Sequence, residues 1–591
     1  MKNLKYLFLN AILFVFSLQV FAENFANANE KAVPDAIYIN GTVITVDPAQ
    51  PYAEAFAVVD GRFSAVGTNV EIRRLATLST TIIDLKGMTV TPGFNDTHVH
   101  PHTSYTEDTP YYTPWLGPDK IKDMDELVAA LKKKADQLPP GTLVTGSRYQ
   151  DSKLGRHPTR WDLDKASTVH PIRISHSSGH VSVVNSYILE ASGVTKETAN
   201  SSFDRDPDGT PNGVLRAGAN VRNTGATNRA PSPPAEAQIE AYQECFREYM
   251  RKGITSIGIA GSSDWQRFAT LRDNETTVRM AFMSSGSVAS LKNRGIKYGD
   301  GDERLRYTAV KMFHGNSMSG NTCWVSEPHV NRPDGRTDYF GIPPSRSQDS
   351  LNRIFQDIHD AGFQIAVHSN GDREIDMVIT AIERAQANNP RPDARHRIEH
   401  ASIMTMPLLE RAKKAGIILV FHTYMYEHGD KLEIYGEKRL EMVHPYRTAI
   451  DMGVLVAGHS DSPIATASAM LCLHDMVNRR GENGKLYGGN QRVTVEEAIK
   501  VWTLDGAFTT FEEDIKGSVT VGKLADFIVL RKDPRKVSPD AIKDIVIDAT
   551  YIGGVNVWQA PEHAQAAIHR FGADVHFGDG DEEENHHYHH Q

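Results

Sequence analysis

Cysteine is scarce in this chain: Cys245, Cys323 and Cys472 are the only three among 591 residues. Three scattered thiols exclude a disulfide framework and a thiolate zinc site. A surplus of positive charge is also missing. The formal net charge is −10, so no basic face for nucleic acid is expected. Beyond the first 22 residues no stretch approaches 18 consecutive apolar residues, which leaves no candidate for a membrane-spanning helix after them. No repeat of 20–50 residues is evident. With 40% hydrophobic and 23% charged residues, the composition excludes a disordered or fibrous chain. Histidine is what the chain has in number, at 25 residues.

The opening MKNLKYLFLNAILFVFSLQVFA has Lys2 and Lys5 ahead of an apolar run from Tyr6 to Phe21, with Val20 and Ala22 small enough for a cleavage site before Glu23. Residues 1–22 are therefore read as a signal peptide, and the mature protein as periplasmic or secreted. The alternative, a membrane anchor, is disfavoured by a short run interrupted at Asn10, Ser17 and Gln19. Residues 23–34 are small and polar, a linker. At the other end, residues 561–591 form an acidic, His-rich tail. Solvated chain is its default, and metal gathering by His586, His587, His589 and His590 the alternative.

Short alternating runs separated by NG, DG and KG mark strands at 36–47, 53–67 and 80–93, and the same texture returns at 517–531 and 545–558. Each group is small for its own core. Residues 35–91 and 510–560 are therefore expected to form one small β-sandwich-like domain built from both chain ends. Between them helical stretches alternate with apolar runs, as in SLNRIFQDIHDAG then FQIAVHS, or PLLERAKKAG then IILVFH. The helices end near glycine and the runs have buried-strand length. Residues 92–509 are thus expected to form an α/β fold, a (β/α)8 TIM-like barrel with an inserted domain. The insertion spans about 104–225, rich in Asp, Pro, Ser and Thr and irregular in texture.

In such a barrel chemistry lies at the carboxyl ends of the strands. There the runs close on His98 and His100 (GFNDTHVH), Lys311 (YTAVKMF), His368 (FQIAVH), His400 (HRIEH), His422 (IILVFH) and Asp461 (VLVAGHSD). Positions i and i+2 of a strand share a face, so His98 and His100 can hold one ion together. Single histidines at strand ends are ordinarily core or loop residues, but this many at matching positions point to a shared metal centre.

These residues, in this order, resemble the amidohydrolase superfamily, and its family-3, YtcJ-like branch in particular. The resemblance runs over about 36–558 and includes DAIYINGTVITVDP, GFNDTHVH, RWDLDKAS, HSSGHVSVVN, RIEHA, GHSDSP and GSVTVGKLADFIVL. It implies a divalent metal, Zn2+ foremost, as one or two ions on His98, His100, Lys311, His368, His400 and Asp461, with Lys311 N6-carboxylated and bridging. It implies that Asp461 is also the catalytic proton shuttle, and that His180 and Asn185 face the substrate. His422 matches no standard family ligand and is read as a substrate contact or a structural residue; Asn316 and His314 could line the pocket, and His102 stands behind the ligands. Two departures bear on substrate. KMFHGNS has Gly315 and Asn316 where the family has Asp-Gly, and GVLRAGA has Ala217 where a Glu is common.

The expected function is an exported metal-dependent hydrolase that cuts a non-peptide carbon–nitrogen bond, an amide of a small-molecule substrate. A homo-oligomer is compatible with the sequence. Alternatives are a lactonase, esterase or deaminase on the same site, or a non-catalytic metal- or ligand-binding barrel.

Overall fold

The computed structural model describes residues 33–118, 120–199, 202–216, 219, 221–274, 277–330 and 336–561. The expected export segment, nearly all of the linker and tail, and Ala217 lie outside the described residues.

The central sheet consists of β1 (Phe94–Val99), β2 (Ile254–Ser262), β3 (Arg279–Ser284), β4 (Leu305–Phe313), β5 (Gln364–Ser369), β6 (Arg397–His400), β7 (Ile418–His422) and β8 (Val456–His459), adjacent in that order. Every neighbouring pair is parallel. The seam between β8 and β1 is closed by Thr97 Oγ1 donating to the Gly458 carbonyl at 2.9 Å. Just beyond it the Asp461 N–H donates to the His98 carbonyl at 3.1 Å, and the His100 N–H to the Ser462 carbonyl at 2.7 Å. The result is an eight-stranded parallel barrel.

Local sequence explains each unit. The helix Gln348–Asp360 starts at Ser347, whose side chain accepts from the Ser350 N–H, and buries Leu351, Phe355 and Ile358 on one face. Gly362, at φ +81°, ends the turn before β5. Inside the barrel Ala260, Met283, Ala309 and Ala366 pack as one layer. Two residues on along β4 and β5 stand Lys311 and His368, and two on from Ala457 of β8 stands His459. Period-two alternation therefore stacks a polar layer directly on an apolar one at the mouth.

Thr89–Pro92 runs antiparallel to Phe527–Leu530, with Pro92 opposite Phe527. This joins both chain ends in a six-stranded sheet, and a four-stranded sheet accompanies it. Tyr38 stacks on Phe56 at 4.7 Å and Phe527 on Tyr551 at 4.4 Å in their shared core. The insertion, expected to be irregular, is instead a five-stranded sheet of Val144–Tyr149, Ile172–His176, Ser182–Val184, Pro211–Leu215 and Phe203–Arg205, over its own core of Leu127, Leu131, Leu163, Ile172 and Ile174. Its strands are only three to six residues long, too short to stand out among Ser, Asp and Pro. Among the described residues no helix is long and apolar enough to cross a membrane.

Candidate metal centre

β1 delivers His98 at the barrel mouth and His100 just past its end. Asp461 follows β8 in a left-handed backbone, φ +55°. Its Oδ1 lies 3.3 Å from His98 Nε2 and 3.2 Å from His100 Nε2. His98 Nδ1 meets Glu399 Oε2 of β6 at 2.6 Å. A carboxylate only accepts, so the proton sits on Nδ1 and the Nε2 lone pair faces Asp461 and His100, as carboxylate–histidine–metal sites require. Burial pushes the Glu399 carboxyl up, but Arg397, at 2.5 and 2.9 Å, and His98 outweigh it and hold it at about 2. Burial likewise opposes ionisation of Asp461, and His100 and His98 beside it keep its carboxyl well below the usual range.

The other expected ligands face the same space. His400 closes β6 with φ +72°, followed by Ala401 at +43°. Left-handed backbone at two successive non-glycine residues carries strain of the kind concentrated at functional sites. The His400 ring lies 5.1 Å from His98 and 4.5 Å from His368. His368 Nε2 donates to the Asn316 carbonyl at 2.9 Å, leaving the Nδ1 lone pair free. Lys311 is buried with its Nζ over the Phe313 ring at 4.2 Å. Burial pushes its ammonium down to about 8 against the pull of Glu399 and Asp461.

His180 reaches the cleft from the insertion, stacked on His368 at 5.1 Å. Burial lowers it to about 4, so its ring is neutral near pH 7. Asn185, expected to face substrate, does not. It is fully buried; its Oδ1 accepts from the Ile172 and Ile188 N–H groups and its Nδ2 donates to the Ser167 and His170 carbonyls, so it caps the helix Ser186–Ala191 and pins Ile172–His176. Asn316 also turns its side chain away, donating to the Ile342 carbonyl at 2.6 Å; only its main-chain oxygen meets the centre, through His368. His422 borders the cleft, but its Nε2 donates to the Ser460 carbonyl at 2.7 Å.

Sequence reading missed three groups. Glu399 was in plain view inside RIEH. His459 sits two residues before Asp461, on the face that period two assigns to the barrel interior. Arg148 lies in the insertion at φ +75°. Its guanidinium donates to the Ser177 carbonyl at 3.0 Å and stands over Trp115 in a cleft shared with Glu427 and Ile464.

Buried polar atoms without a hydrogen-bond partner gather at this mouth: His98 Nε2, Lys311 Nζ, both ring nitrogens of His459, and Asp461 Oδ1. Leaving such atoms unpaired is costly. The donors of His98, His100 and Asp461 all lie within 4.8 Å of one another, as do those of His400, His422 and His459. Imidazole nitrogens with a carboxylate oxygen fit a divalent metal ion.

The family profile described as "Amidohydrolase family" matches residues 81–558. The chain is 27% identical to N-substituted formamide deformylase of Arthrobacter pascens over 538 residues, covering 88% of this chain and 98% of that one. It is 25% identical to the putative amidohydrolase YtcJ of Bacillus subtilis (strain 168) over 552 residues, covering 89% and 99%. An uncharacterized metal-dependent hydrolase from Pyrococcus furiosus shares the fold, with a TM-score of 0.62 at 24% identity over 85% of this chain and all of that one. With its barrel, its converging donors and a profile match over most of its length, the chain belongs to the amidohydrolase family, as a metal-dependent hydrolase of carbon–nitrogen bonds.

Proposed function

We propose that this enzyme hydrolyses an amide of a small molecule with Zn2+ as its metal, and that it works outside the cytoplasm, in the periplasm or secreted. The observation that supports the chemistry most is the convergence of His98 Nε2, His100 Nε2 and Asp461 Oδ1 on one point. A donor set of imidazole and oxygen without thiolate suits Zn2+. Bound there, a divalent cation makes water acidic enough to attack at neutral pH and polarises the carbonyl it faces.

His98 and His100 would hold the ion, with Glu399 fixing the His98 tautomer whose Nε2 lone pair is free for it. His368, His400 and Lys311 complete the ligand set. Lys311 serves as a carbamate: CO2 adds to the neutral amine with loss of one proton. An anion would then stand where an ammonium would be repelled by a bound cation. Asp461 orients the attacking water, accepts its proton and passes it to the departing nitrogen. His180, neutral, donates from the insertion side to the carbonyl oxygen as negative charge develops there.

The deciding experiment assays metal-loaded enzyme on N-substituted formamides, N-acyl amines, lactones and amino-heterocycles, with and without chelator. Chelator-sensitive amine release from amides is expected. Turnover confined to lactones or heterocycles moves the reading to those bonds, and no turnover in the loaded protein leaves a binding barrel. Export is tested separately by the amino terminus of the mature protein, expected at Glu23.

A further inference from the structure

His400, His422 and His459 end β6, β7 and β8, and their ligand nitrogens lie within 4.8 Å of one another. His459 is the informative member. It is fully buried, and neither ring nitrogen has a hydrogen-bond partner. It stacks between His98 at 4.9 Å and His422 at 4.6 Å, with His400 at 4.8 Å. An apolar side chain would fill this place without leaving polar atoms unmet. His422 supplies a second, independent sign. The Ser460 carbonyl can only accept, so the proton of His422 is on Nε2 and the Nδ1 lone pair is left free. That is the outer support by which a ligating imidazole is held in one tautomer. His368, in contrast, falls in neither group of converging donors.

We infer that His400, His422 and His459 form a cation site of their own, beside the corner of His98, His100 and Asp461. Three imidazoles select a borderline transition ion such as Zn2+ or Co2+ over Mg2+ or Ca2+. Three protein ligands leave a fourth position open. His400 and His422 line the cleft that also holds Asp461, and His459 lies behind them. The open position therefore faces the substrate space. The inference builds on the proposed metal centre and adds a position at β6–β8, with His400 shared between it and the set of Lys311 and His368.

The test is anomalous diffraction at the zinc edge on crystals of the unmutated protein grown with Zn2+. A peak about 2.0–2.1 Å from one nitrogen of each of His400, His422 and His459 is expected. Peaks only beside His98, His100 and Asp461, with or without His368, overturn the inference and leave the proposed function standing. No peak at either place overturns both. In solution, His459→Gly and His422→Gln should each lower bound zinc by one equivalent while folded content is unchanged by circular dichroism. His98→Ala should lower it by a different, additive equivalent. Unchanged zinc content in folded His459→Gly protein also overturns the inference.

Discussion

Glu399→Gln tests how this site is held. Glu399 is fully buried and engages Arg397 at 2.5 and 2.9 Å and His98 Nδ1 at 2.6 Å. Glutamine keeps the volume. Its carbonyl can serve one donor, but its amide turns N–H toward the other. Arg397, itself buried, then loses one of its two bonds to position 399 and the counter-charge there, and keeps the Thr97 carbonyl at 2.8 Å. A carboxyl held at about 2 rather than near 4.5 contributes about 3 kcal/mol at neutral pH. Breaking one side of a buried ion pair costs about 3–5 kcal/mol. The two routes agree, so denaturant unfolding of metal-free Glu399→Gln should show a loss of about 3–5 kcal/mol at pH 7. Because the folded carboxyl is lowered, that stabilisation is present above about 4.5 and is lost as pH falls toward about 2, so the gap from the unmutated protein should narrow over that range. Metal affinity should fall about 10- to 100-fold, because His98 loses the partner that fixes its tautomer. Unchanged stability at pH 7 with unchanged metal affinity, measured by chelator competition, would refute the reasoning.

Asp461→Asn should keep the fold and most of the metal but lower kcat by at least about 100-fold, since general acid–base catalysis supplies about that much or more; near-normal kcat in steady-state assays removes the proton-shuttle role. Away from the centre, burial holds the rings of His157 and His396 at about 3, whereas the unfolded chain takes up their protons near 6.5. Unfolding then binds protons, and the metal-free protein should lose about 1.4 kcal/mol per pH unit for each such ring as pH falls below about 6.5; His396→Gln should reduce the measured slope by that amount. Asp151 of the insertion accepts from Lys431 Nζ at 2.6 Å and His176 Nε2 at 3.0 Å. Asp151→Asn leaves the buried Lys431 ammonium unpaired, at a cost of about 3 kcal/mol, and should open the insertion to limited proteolysis before the barrel; identical cleavage kinetics would count against this contact as its anchor.

Much of the architecture could be read from the chain because the barrel strands are apolar runs that end in chemistry. YTAVKMF places Lys311 two residues past Ala309, and FQIAVH places His368 two past Ala366, so alternation alone carries the polar layer onto the alanine layer. The same rule, counted back from Asp461, reaches His459. Reading each strand only to its last polar residue hid that histidine, and likewise Glu399 one step short of His400. The insertion was less legible because its strands are short and share their alphabet with loops.

Asn185 and Asn316 show a different limit. A polar residue near a motif either faces the cleft or secures the backbone, and spacing does not distinguish the two. Asn185 does carry a local signal, since asparagine directly before SYILEA is a helix cap, and capping uses the amide that a substrate would need. His400 marks where sequence reasoning stops. Strict alternation would set it on the outward face with Ile398, which packs in the core between sheet and helices. The left-handed backbone at His400 and Ala401 breaks the strand geometry there, and the ring lies over the mouth beside His98 and His368. No glycine announces that turn. It is held by tertiary bonds, the Ala401 N–H donating to the Ser369 carbonyl at 3.0 Å and the Ile403 N–H to the Asn370 carbonyl at 2.9 Å. A donor that both proposed metal positions could use thus owes its direction to β5, a neighbouring strand, and not to its own.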